Sequence, residues 1–202
     1  MLLTTGQAAA ELGCAITTFR RLVHADLLPG LSQRGVRTVV PLNVVQALQQ
    51  RTPAPLEQLP VKEIAVLRVD VAQRVREDDR DWIGFSPHLS PEELLRALRG
   101  WWRCDAASVA AGGVLPVTLS GYVVAVLTGL QTWTKNDHGR HAFPEAALAG
   151  YVTDLAAPAI RITAPADGDR ELADLLLGTR LPSASGGAIA YVTTRRTTDE
   201  DS

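Results

Sequence analysis

Residues 3–23 read LTTGQAAAELGCAITTFRRLV, and this spacing predicts two helices joined by a tight turn. Thr5 is a suitable N-cap, because its hydroxyl can accept a hydrogen bond from a free backbone N–H of the first turn. Gly13 permits the sharp turn that ends the first helix. Apolar side chains at helical spacing predict a buried stripe on the second helix; they are Ile16, Phe19, Leu22 and Val23.

The opposite face of the second helix carries short hydroxyls and forked cations, and no carboxylate. Such a face suits a groove lined with phosphates and base edges. A solvated helical face is the alternative interpretation. The residues concerned are Ala15, Thr17, Thr18, Arg20, Arg21 and His24.

The next segment predicts a basic hairpin and a third helix. Leu28-Pro29 ends the second helix, because proline disfavours helix at the residue before it. Residues 32–40 have the alternation of a short hairpin, with Arg34-Gly35 near its turn. Pro41 suits the start of another helix. The order helix, turn, helix, basic hairpin, helix is that of a winged helix-turn-helix.

On these residues the stretch resembles the excisionase-like and MerR-like DNA-binding domains. Their line L-T-x-x-E-A-A-x-x-L-G-V-S is matched with Gln7 in place of Glu. The Arg-Tyr-Tyr signature of MerR proteins is absent, since Phe19-Arg20-Arg21 occupies that region, so the excisionase-like branch is favoured. The matching runs are Leu3-Thr4, Gln7-Ala8-Ala9, Leu12-Gly13-Cys14, Leu27-Leu28-Pro29 and residues 34–40.

The resemblance implies double-stranded DNA as the partner. We expect Thr17, Thr18 and Arg21 to face the major groove, with Arg20 at its edge. Arg34 and Arg37 on the hairpin then reach phosphates or the minor groove. Charge agrees with this expectation, because residues 1–52 have five arginines against two acids, net +3, whereas the remainder has net −5.

Composition bounds the domain organisation. The 202 residues are 46% hydrophobic and 21% charged, which is normal for a globular protein. We expect a helix-turn-helix domain over 1–52, a proline-rich linker over 53–60, an α+β domain over 61–194 and a disordered tail over 195–202. The predicted fold class is therefore a mostly α N-terminal winged helix-turn-helix plus an α+β C-terminal domain.

The second domain resembles the small β-barrels of the PUA-like group, which includes EVE and ASCH modules. The resemblance covers about 65–195, and we expect a PUA-like β-barrel as one form of this domain. It rests on Gly100-Trp101-Trp102-Arg103, the apolar strands within 117–126, the run from Trp133 to Phe143, and Ala188-Ile189-Ala190-Tyr191-Val192.

Two turns of this domain predict a ligand site. Trp101 and Trp102 cannot both point the same way from a strand, so one of them is available to line a pocket. Arg140 and His141 lie where a strand pair returns, and an aromatic face beside two cations suits a planar or anionic ligand. The alternative places both tryptophans in the core and pairs Arg140 with a carboxylate such as that of Asp105.

Catalytic motifs are not found in the sequence. Cys104 with His141 as nucleophile and base, or His138 with His141 as metal ligands, are weaker hypotheses than packed side chains. We therefore expect no enzyme, no metal and no cofactor. Without a run of about 18 apolar residues or a signal peptide, we expect a cytoplasmic protein that does not contact a membrane.

The leading hypothesis is a sequence-specific DNA-binding protein, either a transcriptional regulator or an excisionase-like recombination accessory factor. Its C-terminal domain would sense a small molecule or nucleotide or bind a protein partner, and a homodimer is one form of the assembly. The alternative is a defence or modification-sensing protein whose PUA-like barrel binds a nucleotide or modified base.

Overall fold

The structure is a computed structural model that describes residues 1–77, 79–183 and 187–194. Its N-terminal part consists of three helices and a three-stranded antiparallel sheet of order β1-β3-β2. The elements are β1 (Leu2–Thr4), α1 (Thr5–Leu12), α2 (Ile16–His24), β2 (Ser32–Arg34), β3 (Arg37–Pro41) and α3 (Leu42–Gln49).

Helix α1 is capped by Thr4, not by Thr5 as the sequence suggested. The Thr4 backbone is extended, and its hydroxyl accepts the Gln7 backbone N–H at 3.3 Å, while Gln7 Oε1 accepts the Thr4 backbone N–H at 2.9 Å. This reciprocal pair satisfies two backbone donors of the first turn. The helix ends as predicted at Gly13, whose φ of 73° is left-handed.

The rest of the described chain is built on a six-stranded mixed sheet of order β12-β11-β8-β7-β4-β13. Short strand pairs β5–β6 and β9–β10 lie beside it. The elements are a 3₁₀ turn (Leu56–Gln58), β4 (Glu63–Arg68), β5 (Gln73–Arg74), β6 (Trp82–Ile83), α4 (Pro91–Leu98), α5 (Ala106–Gly112), β7 (Leu115–Leu119), β8 (Tyr122–Thr128), β9 (Thr134–Lys135), β10 (His141–Ala142), β11 (Ala147–Asp154), β12 (Ala159–Ile162), α6 (Asp167–Leu176) and β13 (Ile189–Thr193).

One pair in the large sheet, β4 with β7, is parallel, and the other neighbours are antiparallel. A parallel pair needs a long crossover, and this one contains β5, β6, α4 and α5. Helix α4 begins with a capping box between Ser90 and Glu93, as the motif Ser-Pro-Glu-Glu predicts. The crossover brings the end of α4 close to the end of β4, which creates the cavity described below.

Strands β7 and β8 form a hairpin whose residues are all buried. Their turn has left-handed backbone at Ser120 and Gly121, with φ of 54° and 83°, as a two-residue turn with matching twist requires. The tip of this hairpin reaches the N-terminal part, where the Ser120 hydroxyl donates to the Thr18 carbonyl at 2.8 Å.

The N-terminal part packs directly on the large sheet. The Tyr122 hydroxyl donates to the Leu48 carbonyl at 3.3 Å, and the Leu155 N–H donates to the Leu27 carbonyl at 3.0 Å. Buried side chains from both parts, among them Phe19 and Val124, belong to one connected apolar cluster. The two parts therefore share one apolar core and are not connected by a linker alone.

The predicted fold class is wrong. The described residues are 28% helix and 31% strand, so the chain is not mostly α, and half of the N-terminal elements are strands. The large sheet has two outer strands, β12 and β13, that pair with one described neighbour each, so the described strands form an open sheet and not a small barrel. Periodicity identifies strands, but long-range pairing decides whether a sheet closes.

The start of the segment 53–60 is hydrogen bonded to Arg180, four residues beyond the end of α6. The Ala54 N–H donates to the Arg180 carbonyl and the Arg180 N–H donates to the Thr52 carbonyl, both at 2.8 Å. Leu59 is buried. The predicted disordered tail, 195–202, lies outside the described residues.

Candidate nucleic-acid interface and ligand cavity

Helix α2 is positioned by its apolar stripe. Phe19 and Leu22 are fully buried, so residues on the opposite side of the helix face outward. Thr17, Arg20 and His24 are exposed there. These three positions are three and four residues apart and therefore lie on one face.

The hairpin β2–β3 lies beside this face. Arg34 and Arg37 are paired across the hairpin and both are exposed, while Gly35 supplies a left-handed turn with φ of 62°. The Gln33 side-chain amide donates to the Thr38 hydroxyl at 3.0 Å, which links the two strands. Val36 at the tip is fully exposed.

A groove of about 380 Å³ separates α2 from the hairpin. Arg20 and His24 line it from the helix, Arg37 and Thr38 from β3, and Thr4 from the start of α1. Among the described residues that line this groove none carries a carboxylate. Arg20, Arg34 and Arg37 form no ion pair within the described part of the chain. The groove therefore presents uncompensated positive charge.

Four of the six predicted DNA-contacting residues do not line this groove, and two of them, Thr18 and Arg21, are engaged elsewhere. Arg21 Nε lies 3.3 Å from Asp70 Oδ2, and the Thr18 carbonyl accepts the Ser120 hydroxyl. Thr18 and Arg21 instead line a shallow depression between α2 and the large sheet. The structure thus brings Arg20 and Arg37 together, leaves Thr17 and Arg34 exposed nearby, and turns Thr18 and Arg21 toward the sheet.

The predicted ligand residues also divide. Trp101, Trp102 and Arg140 line one cavity of about 360 Å³. Trp102 is 8% exposed and packs on Phe143 with ring centroids 5.6 Å apart, whereas Trp101 is 41% exposed. One tryptophan is therefore in the core and its neighbour is at the surface.

His141 supports this cavity through its backbone. Its N–H and carbonyl exchange hydrogen bonds with those of Trp102, each at 2.8 Å. The His141 side chain is not among the described residues that line the cavity, and its buried Nδ1 has no hydrogen-bond partner in the described part of the chain. The exchange fixes Trp102 next to the segment that carries Arg140.

Sequence analysis missed Arg68, Arg80 and Asp70, which also line the cavity. Arg80 belongs to a run of mixed charge that predicts a solvated loop, yet its side chain is only 14% exposed. It donates to Glu77 at 2.6 Å and to the Arg99 carbonyl at 2.8 Å. A Cβ at Gly100 would lie 2.8 Å from Arg80 Nη1, so the glycine leaves room for this guanidinium. In the sequence, the only signal of this close approach is Gly100 itself, which directly precedes the two tryptophans.

The two cysteines are poor nucleophiles in this environment. Burial, and then the adjacent Asp105 carboxylate, raise the pKa of Cys104 to about 11. Burial also raises the pKa of Cys14. Less thiolate is therefore present near neutral pH than for an ordinary thiol. Over the described residues no group of three or more His, Cys, Asp or Glu side chains is placed to hold a metal ion.

Comparison of the chain with protein-family models, curated proteins and solved structures found no significant match. Within the described residues, no helix combines the length and the apolar composition needed to cross a membrane.

Proposed function

We propose that this chain is a DNA-binding protein that docks on double-stranded DNA through α2 and the β2–β3 hairpin. The observation that carries the proposal is the carboxylate-free groove in which Arg20 and His24 of the helix face Arg37 of the hairpin. A helix and an adjacent hairpin whose arginines form no ion pair within the described residues suit contacts to a DNA groove and its phosphates.

In the proposed complex, Thr17 and Arg20 on α2 contact base edges in the major groove. Arginine makes bidentate contacts to guanine, and a threonine hydroxyl can bond to any base. Arg34 and Arg37 on the hairpin contact phosphates. Arg21, which is paired with Asp70, is assigned no base contact while that pair is intact.

The charge distribution supports a local interface. The chain has a net charge of −2, yet residues 1–52 carry +3. The negative charge of the rest of the protein repels DNA phosphates and opposes binding to that part of the chain. The arginine groove is therefore the surface that attracts a polyanion. We propose a cytoplasmic regulator or recombination accessory factor on this basis, with a binding role and not a catalytic one.

The experiment captures fragments of the encoding genome with the full-length chain and then measures affinity for one captured duplex by fluorescence anisotropy. Arg20→Ala should cost about 1–3 kcal/mol for the captured sequence and reduce discrimination against a scrambled duplex. Arg37→Ala should weaken both duplexes alike and lower the salt-dependence slope by about 1.

Arg161→Ala is the matched control, because Arg161 is an exposed arginine on β12, outside the groove. It should leave both affinities unchanged. The proposal fails if Arg20→Ala and Arg37→Ala bind as the wild type does, or if the control weakens binding as much as they do.

A further inference from the structure

The cavity beside Trp101 is formed where the parallel crossover returns to the sheet. The end of β4 contributes Arg68, the turn after α4 contributes Trp101 and Trp102, and the segment between β9 and β10 contributes Arg140. Its volume of about 360 Å³ falls in the range of small-molecule clefts, which begins at roughly 300 Å³. Five separate chain segments converge on it, counting the loop that carries Arg80 and the segment that carries Ala188 before β13.

The charge of the cavity is positive. Three arginines line it, Arg68, Arg80 and Arg140, against one acidic residue, Asp70. Asp70 is paired with Arg21, and Arg80 is paired with Glu77. Arg140 has no ion pair within the described part of the chain. A guanidinium fork that no carboxylate of the described residues engages is suited to a carboxylate or phosphate of a ligand.

The walls of the cavity are apolar and aromatic. Leu67 and Leu98 are buried beneath it, and Ile83 and Trp101 are partly exposed at its rim. An exposed indole favours a planar ring that can stack on it, since stacking removes apolar surface from water. An aromatic face in the same cavity as Arg140, which has no ion pair within the described residues, therefore combines the two contacts that a planar anion needs.

We propose that this cavity binds a small planar anion. Its ring stacks on Trp101, and its carboxylate or phosphate binds Arg140, while Arg80 and Arg68 add positive charge at the base. Nucleoside monophosphates and aromatic carboxylates share this chemistry. The proposal is independent of DNA binding, since none of these residues lines the groove between α2 and the hairpin.

The test uses matched anionic and neutral probes with the full-length protein and no DNA. Isothermal titration calorimetry compares AMP with adenosine, and indole-3-acetate with indole-3-acetamide. We expect at least one anion to bind roughly tenfold or more tightly than its neutral counterpart, because a hydrogen-bonded charge is lost in the neutral probe. The pair that responds identifies the ligand as a phosphate or a carboxylate.

Variants locate the binding. Arg140→Ala should weaken the binding anion at least about tenfold while leaving the melting temperature unchanged, because Arg140 is exposed and lacks an ion pair within the described residues. Trp101→Ala should weaken the anion and its neutral counterpart alike. Arg161→Ala, the same change on β12, should alter neither measurement.

Three results overturn the proposal. The first is that neither anion binds, and the second is that each neutral probe binds as tightly as its anion. The third is that Arg140→Ala leaves anion binding intact or lowers the melting temperature by several degrees, which would make Arg140 a structural residue.

Discussion

Arg21 of α2 and Asp70, two residues beyond the end of β4, form an ion pair with Nε and Oδ2 3.3 Å apart. The other carboxylate oxygen of Asp70 accepts the Val71 backbone N–H at 2.8 Å. Asp70 also lines the cavity that contains Trp101. A single carboxylate thus contacts the helix proposed to enter DNA and borders the site proposed for a planar anion.

Asp70→Asn should raise DNA affinity about two- to fivefold, because it releases Arg21 and removes a negative charge near the interface. Both side chains are about half exposed, and such pairs contribute little to folding. The urea midpoint should therefore hardly move. Anisotropy titrations at two salt concentrations measure the effect, which should shrink at the higher salt.

Asp174→Asn is the charge-matched control, since Asp174 is exposed on α6 and forms no ion pair within the described residues. An equal gain in both variants would mean that net charge, and not the release of Arg21, controls affinity.

A second prediction concerns Gln7, the third residue of α1, whose side chain forms the capping pair with Thr4. Gln7→Ala removes the acceptor for the Thr4 N–H and should lower the free energy of unfolding by roughly 0.5–1 kcal/mol. Gln7→Glu keeps that acceptor and adds a negative charge to a first turn that has none. The free energy of unfolding of Gln7→Glu should be at least that of the wild type and up to about 1 kcal/mol higher.

Urea denaturation of the three proteins at neutral pH checks the order. Equal stability of Gln7→Ala and Gln7→Glu would show that the capping pair seen in the structure contributes nothing measurable.

Local signals explain which elements the sequence could predict. Gly13 ends α1 because only a left-handed residue closes that helix, and Ser90-Pro91 starts α4 through its cap. Gly121 is likewise a local signal, because its left-handed φ of 83° closes the turn between β7 and β8. Each of these features depends on residues within a few positions of one another.

Long-range packing explains what the sequence could not predict. Strand β4 pairs with β13, where Ile64 faces Val192, and no local pattern records that partner. The same reason applies to the site, because Arg20 and Arg21 are chemically identical neighbours. On one side of α2, Ser120 contacts Thr18 and Asp70 contacts Arg21. Arg20 lies on the other side of the helix and lines the groove.

Limited proteolysis tests how the two parts are joined. Pro53, Pro55 and a predicted linker favour early cleavage at the Arg51–Thr52 bond. However, Thr52 and Ala54 are hydrogen bonded to Arg180. Lys135 at the end of β9 and Arg140 just before β10 are both exposed. Trypsin should therefore cut after Lys135 or Arg140 at least about tenfold faster than after Arg51.

Mass spectrometry of early digestion times identifies the fragments. Comparable rates at all three bonds in urea would show that the sites are intrinsically cleavable. Faster cleavage after Arg51 in the native protein would contradict the described packing of segment 53–60.

The last prediction concerns Cys104, whose pKa of about 11 reflects burial and the neighbouring Asp105 carboxylate. A pKa of about 11 in place of 9.0 leaves roughly one hundredth of the thiolate at a given lower pH. Iodoacetamide should therefore alkylate Cys104 slowly near neutral pH, and the rate should rise toward a midpoint of about 11. Asp105→Asn keeps an acceptor at the cap of α5 and should lower that midpoint, because the like charge is gone.

The same shift sets the sign of a stability change. The folded state holds the Cys104 proton more tightly than the unfolded state does. The protonated thiol therefore contributes fully to the free energy of unfolding below about pH 9, and this contribution is lost as the pH rises toward 11. Cys14, Tyr122 and Tyr191 also have raised pKa values, so the wild type must be compared with Cys104→Ser. Urea denaturation should show the wild type losing more stability than that variant over this interval. Parallel losses in the two proteins would mean that the Cys104 thiol titrates as it does in the unfolded chain.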